Sequence, residues 1–210
     1  NGALTQSLLS LGGKEITWEK SSAFGMNLEM RLFNSLNLGL GYYSRTSNDL
    51  LFDKPLQPST GQNSRPENFG SMKNSGIEAE IAWTAIENDK LSIVINANIS
   101  TVKNEITELP RDSIQVGNFR RVTGRSAYDY FMVESAGVNP VNGNAIFLTT
   151  DSNGDRVETE DYSEAATNGR VFLDKSAVPD VTGGFGANFQ YGGFALGVQF
   201  AYQIGGYGLD

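Results

Sequence analysis

The stretch SGIEAEIAWTAIENDKLSIVINANIST, Ser75 to Thr101, alternates apolar and polar residues, breaks at Glu87-Asn88-Asp89-Lys90, and alternates again. Successive side chains of a strand point to opposite faces. Ile77, Ala79, Ile81, Trp83 and Ala85 therefore share a face with Leu91, Ile93, Ile95, Ala97 and Ile99. Glu78, Glu80, Thr84, Ser92, Asn96, Asn98 and Ser100 share the other. A helical period of 3.6 would scatter these apolar residues around the cylinder. The expected element is a long hairpin, about 74–86 with 90–102, that is apolar on one face.

The pattern recurs twice. Phe24, Met26, Leu28, Met30 and Leu32 alternate with Gly25, Asn27, Glu29 and Arg31; after Phe33-Asn34-Ser35, Leu36, Leu38, Leu40 and Tyr42 alternate with small or polar residues. That is a hairpin of about 17–32 with 36–48. Phe185, Ala187, Phe189 and Tyr191 precede Gly192-Gly193, a two-residue hairpin signal. Phe194, Leu196, Val198, Phe200 and Tyr202 follow it. That is a third hairpin, 181–191 with 194–205. Between the hairpins the periodicity lapses. PLQPSTGQNSRPENFG, within 49–73, and the long stretch 103–180 read as irregular connections rich in turn residues.

The face that these strands bury decides the class. Strands of ten residues or more exceed the usual five or six of soluble sheets. Connections within hairpins are short and connections between them are long, as in outer-membrane barrels. The polar parity is built of Gly, Ser, Thr, Asn, Gln and Ala with little charge, where a water-facing sheet surface would carry more. Trp18, Phe33, Tyr42, Trp83, Tyr191, Phe194 and Tyr202 lie near strand ends, where a membrane girdle places aromatic rings. The fold class expected is all-β: an antiparallel up-and-down transmembrane β-barrel portion of about six long strands in three hairpins, with short periplasmic turns and long extracellular loops. The competing reading is a soluble or surface β-sandwich ligand-binding module, with the apolar faces of two sheets in contact.

Composition narrows the function. The 210 residues contain no His and no Cys. This removes the commonest general base and metal ligand, along with disulfides and thiolate chemistry. A net charge of −8 argues against a nucleic-acid partner. No apolar run approaches the roughly 18 residues of a membrane-spanning helix, and no signal peptide opens the chain at Asn1-Gly2-Ala3-Leu4. Glu78 and Glu80 share a strand face without glycosidase geometry. Gly183-Gly184-x-Gly186 is followed by strand, so it is no phosphate cradle. No catalytic residues are assigned, and an enzyme is not expected.

Two constellations carry binding chemistry. FRRVTGRSAYDYF gathers Arg120, Arg121 and Arg125 with Tyr128 and Tyr130. Arginine grips carboxylates in bidentate fashion and aromatic faces stack on sugars, so these are the candidate ligand-binding residues. The alternative is a loop tied down by the same side chains. DSNGDRVETED places Asp151, Asn153 and Asp155 at positions 1, 3 and 5 of a calcium loop, with Asp161 near its end. Arg156 stands where that loop needs glycine, Tyr162 stands where it needs glutamate, and Asn153-Gly154 is a turn signal by itself. Calcium is the one cofactor these residues suggest.

The chain also resembles a known family. ITWEKSSAFGMNLEMRLFNSLNLGLGYYSRTSNDLLFDKPLQPSTG is similar to the barrel region of SusC/RagA-type TonB-dependent outer-membrane transporters of Bacteroidetes. The matching elements include Trp18-Glu19-Lys20, Tyr42-Tyr43, Asn48-Asp49-Leu50-Leu51 and Pro58-Ser59-Thr60-Gly61. ENFGSMKNSGIEAEI, NANISTVKNEITELP, AGVNPVNGNAIF, TEDYSEA and VPDVTGGFGANFQYGGFALGVQFAYQIGGYGLD continue the resemblance in order. It implies a barrel of about 22 strands with a plugged lumen, in the bacterial outer membrane. It implies import of an oligosaccharide or peptide, a SusD-like surface lipoprotein as lid, and energy from the TonB–ExbB–ExbD system. Residues 1–210 are then expected to be part of a single barrel domain, a fragment without the plug or TonB box, with 49–73 and 103–180 as long extracellular loops.

Overall fold

The structure is a computed structural model that describes residues 16–61 and 64–209. The opening residues Asn1 to Leu4 lie outside the described residues. Six long strands form one antiparallel meander. They are β1 (Lys20–Leu32), β2 (Leu36–Asn48), β5 (Ser71–Glu87), β6 (Leu91–Thr101), β15 (Pro179–Tyr191) and β16 (Phe194–Gly205), adjacent in that order. Between β2 and β5 lie β3 (Leu51–Pro55) and β4 (Ser64–Asn68), which pair with each other. After β6 come β7 (Lys103–Glu108), β8 (Ile114–Val116), β9 (Phe119–Arg121), β10 (Asp129–Val133), β11 (Ser135–Val138), β12 (Ala145–Thr150), β13 (Arg156–Thr159), helix α1 (Tyr162–Asn168) and β14 (Arg170–Ser176). The stretches read as irregular thus hold short paired strands. At three to seven residues most of these are too short for alternation to show in sequence.

The register carries the apolar parity across all six strands. Met30 pairs with Leu38 and Leu38 with Ile81; Ile81 faces Ala97, Ala97 faces Phe185 and Phe185 faces Phe200. One bulge corrects the sequence pattern. Between Thr84 and Ile86 the ladder slips, so Ile86 pairs with Ile93 and joins the apolar face although its parity is polar. Ala85, expected on the apolar face, becomes the extra residue of the bulge.

The apolar face is open. Leu28, Ile77, Phe185, Leu196 and Phe200 are each more than half exposed, and no second sheet pairs with or covers this face among the described residues. A sandwich would have buried them. Among the described residues the five buried hydrophobic ones, Ile106, Ile114, Ala127, Tyr130 and Ala165, all lie between β6 and β15. The sheet itself has no interior, so its apolar area needs a nonaqueous neighbour. No described helix is long and apolar enough to cross a membrane, which leaves crossing by strands open.

All three short turns lie at one end and are stitched to their neighbours. The Thr84 N–H donates to the Ser35 carbonyl at 2.8 Å, and the Gly192 N–H to the Lys90 carbonyl at 3.0 Å. Asn88 Oδ1 accepts from the N–H groups of Lys90 and Leu91. Phe33 and Asn34 take positive φ to close the first turn, a cost that Asn bears better than Phe. Phe33, Trp83, Tyr191 and Phe194 form an exposed aromatic row at this end. Trp18 is exposed at the other, before β1, whereas Tyr42, expected near a strand end, lies at the middle of β2 opposite Met26. From Phe194 to Tyr202 β16 rises roughly 27 Å at about 3.4 Å per residue, close, once tilted, to an apolar band of about 25 Å.

Candidate functional site

The polar face carries a strip of adjoining hollows across β1, β2, β5 and β6. Gly39 and Gly41 on β2 leave room that larger side chains fill from both sides. The Glu80 side chain folds over Gly39, with Cγ 2.6 Å from where a Cβ would stand, and Asn27 Oδ1 lies 2.9 Å from the same point on Gly41. Adjoining hollows of about 510 and 460 Å³ run along this strip, lined by Glu29, Glu78, Glu80, Asn27 and Asn98. Among the described residues no cation pairs with Glu29, Glu78 or Glu80; Arg31 donates instead to the Asn34 carbonyl at 2.9 Å. This strip of the face is therefore acidic, with glycines beneath the larger side chains.

At the loop end a second layer forms on β8, β9, β10 and β14, paired as one small sheet. The arginines expected to bind ligand diverge there. Arg120 lies over the Phe131 ring at 4.6 Å and donates to Ser113 Oγ at 2.9 Å. Arg125 lies over Phe172 at 4.0 Å and pairs with Asp174 at 3.3 Å and Asp129 at 3.5 Å. Tyr130 is buried, its ring 4.9 Å from Phe119, and its hydroxyl donates to the Tyr207 carbonyl at 2.8 Å. These three side chains hold the loop to itself and to the chain just after β16. Arg121 and Tyr128 differ. Among the described residues Arg121 faces the Phe52 ring alone, at 5.6 Å, and its Nε is buried without a hydrogen-bond partner. Tyr128 stands edge-on to Phe119 and is exposed.

The Asp151–Asp161 loop is a tight turn. Asp151 Oδ1 accepts from the N–H groups of Asn153 and Asp155, both at 2.9 Å, and Gly154 sits at φ +92°. Those amides hold the Asp151 carboxyl below the usual carboxylate range, the Asp155 N–H most of all. Arg156 turns away to the Gly169 carbonyl and Glu134, at 2.9 and 3.0 Å. Asp161 caps α1, accepting from the Ser163 and Glu164 N–H groups. Among the described residues no three acidic groups converge where a metal ion could be held.

One feature escapes sequence reading. Glu160 receives the side-chain amides of Asn139 at 2.6 Å, Asn144 at 2.8 Å and Asn142 at 3.0 Å. This closes the loop between β11 and β12. The run of three asparagines within 139–144 was the available signal, but nothing in sequence ties it to a carboxylate beyond residue 150.

The sequence model of the family described as "TonB dependent receptor-like, beta-barrel" matches residues 5–209. The chain is 25% identical to TonB-dependent receptor P39 of Formosa agariphila over 94% of its length and 23% of that protein's. It is 23% identical to TonB-dependent receptor SusC of Bacteroides thetaiotaomicron over 92% of its length and 20% of that protein's. Among solved structures it is similar to the RagAB peptide transporter, with a TM-score of 0.80 and 30% identity over 95% of this chain and 22% of that one. The RagAB peptide importer in its "open-open" state gives a TM-score of 0.81 at the same identity, over 94% and 22%. The chain thus spans about a fifth of the length of these relatives.

Proposed function

Because the chain belongs to the TonB-dependent receptor-like β-barrel family, whose members are receptors of the bacterial outer membrane and not enzymes, we propose that it supplies barrel wall and extracellular loops to an importer of a large nutrient, an oligopeptide or oligosaccharide. The observation that carries this is the register, which keeps the two parities on separate faces from strand to strand. Across six strands one parity carries an apolar band, from Leu32 to Phe24 on β1 and from Leu36 to Tyr42 on β2, with polar residues such as Thr46 and Lys73 only toward the loop end, and the other presents an acidic, glycine-lined strip. Lipid fits the first face and hydrated substrate, or a plug within the lumen, fits the second.

The stitched short turns then face the periplasm, and 49–73 and 103–180 face outward. The likeness to RagAB supports a peptide and a SusD-like lipoprotein partner; the family supports coupling to TonB–ExbB–ExbD. Uptake assays with the full-length protein in cells test this. Growth on a peptide or glycan mixture should depend on the protein and on TonB. Uptake unchanged without either, or a full-length protein monodisperse in buffer without detergent, overturns the proposal.

A further inference from the structure

We infer that Arg121 anchors a carboxylate in a small pocket at the loop end of the polar face, and that this pocket reads a monoanionic group of incoming substrate. A cavity of about 190 Å³ lies there, lined by Glu19, Phe52, Ser71, Met72, Arg121 and Tyr128 among others. Met72 continues the polar parity of β5, since it pairs with Ser47 and through it with Ser21, as Glu78 does with Gly41 and Asn27. The cavity therefore opens where the lumen strip meets the loops. It has room for about six waters at roughly 30 Å³ each, which suits one residue-sized group and not a folded segment.

Arg121 is the unusual member. The guanidinium is charged at every working pH and offers five donors in a planar fork. Arg120 and Arg125 have oxygen partners. Arg121 has the Phe52 face alone, and its Nε is buried and unmatched. A ring 5.6 Å away returns only part of the lost hydration, and a buried donor without an acceptor is an exception in folded proteins. A carboxylate on the fork would satisfy it with two parallel charge-assisted bonds.

The walls refine the ligand. Glu19 lines the same space, with Oε1 held by the Leu51 N–H at 2.9 Å. Glu108 lies behind Ser71, within 3.4 Å of its hydroxyl. These carboxylates disfavour a second negative charge, so a monocarboxylate suits the pocket better than a phosphate dianion. Phe52 and Tyr128 offer flat apolar faces to the body that carries it. An acyl amino acid at a peptide end and a uronic acid share this chemistry.

The inference deepens the import reading and rests on it for its purpose. Its test needs no transport: binding is measured on purified, non-energised full-length protein, so a failed uptake assay leaves the result readable. The probes are hippurate, hippuramide and glucuronate, followed by saturation-transfer NMR and by the methyl signal of Met72 in methionine-labelled protein, assigned with Met72→Leu. Hippurate should bind at least about tenfold more tightly than hippuramide, from the strength of charge-assisted bonds. It should shift the Met72 methyl, and Arg121→Gln should reduce it to the level of the amide. Arg121→Lys should fall between, keeping charge without the fork. Preference for hippurate over glucuronate assigns a peptide source, and the reverse a glycan source. Should Arg121→Gln disturb the loop, the Met72 shift in wild type still decides. Equal binding of acid and amide, no response at Met72 to either acid, or full binding by a folded Arg121→Gln protein overturns the site.

Discussion

The ring of Tyr202 lies across Gly183, with its Oη 2.6 Å from where a Cβ on that glycine would stand. The hydroxyl reaches past it to the Asn98 carbonyl at 3.3 Å. Tyr43 does the same on the opposite face, lying over Gly76 and reaching the Thr101 carbonyl at 3.4 Å. Each glycine accepts an aromatic lid from a neighbouring strand, which protects bare backbone and pins register.

Gly183→Ala and Gly76→Ala should therefore destabilise the full-length barrel by about 1–3 kcal/mol each, by overpacking. The new Cβ meets a backbone carbonyl as well as the ring, so a rotamer change of tyrosine cannot relieve it. Thermal unfolding in detergent measures this. Gly193→Ala, where a Cβ meets nothing, is the control.

The two faces should respond oppositely to charge. Ile81→Arg should cost on the order of 2–4 kcal/mol if Ile81 sits near the bilayer midplane. Gln199→Ala on the polar parity, where it pairs with Gly186, should cost far less. Equal tolerance in reversible unfolding into lipid would contradict the assignment of faces.

The bulge makes a sharper test. A spin label at residue 86 should be quenched by lipid-soluble oxygen more than by a water-soluble nickel chelate. Simple alternation from Trp83 places residue 86 on the polar face and gives the reverse result.

Glu160 titrates the loop. Hydrogen bonds from Asn144, then Asn139 and Asn142, lower its pKa below the ordinary glutamate value. A depressed folded pKa means the stabilisation is complete above the unfolded value, near 4.3, and is lost as pH falls through the folded one. Protection of the amides in 139–144, taken relative to their intrinsic exchange rates, should be complete at neutral pH and fall as the pH drops below the unfolded glutamate value. Glu160→Gln should raise exchange at pH 7 and flatten the dependence.

The long strands were legible in sequence because alternation sustained over ten residues has few other causes. Leu32, Leu36 and the turn between them fell as the pattern required. What stayed hidden was short or nonlocal. The ribbon of Leu51–Pro55 with Ser64–Asn68 has too few residues for a period. The slip at Ala85 reverses parity at Ile86, and only cross-strand pairing reveals it. Sequence gathered Arg120, Arg121 and Arg125 as one group, yet three different rings receive them. Which of three neighbouring arginines lacks an acceptor depends on Ser113, Asp129 and Asp174, contributed by separate elements.

Among the described residues the buried hydrophobic ones all belong to the segment between β6 and β15, and none to the long strands. Selection can thus act on the two parts under separate accounts. A lineage can exchange, lengthen or recombine the segment between β6 and β15 while the long strands keep their apolar face, because the buried apolar cluster of that segment does not draw on the long strands. The segment between β6 and β15 becomes the variable part of such a molecule, and the long strands the inherited one.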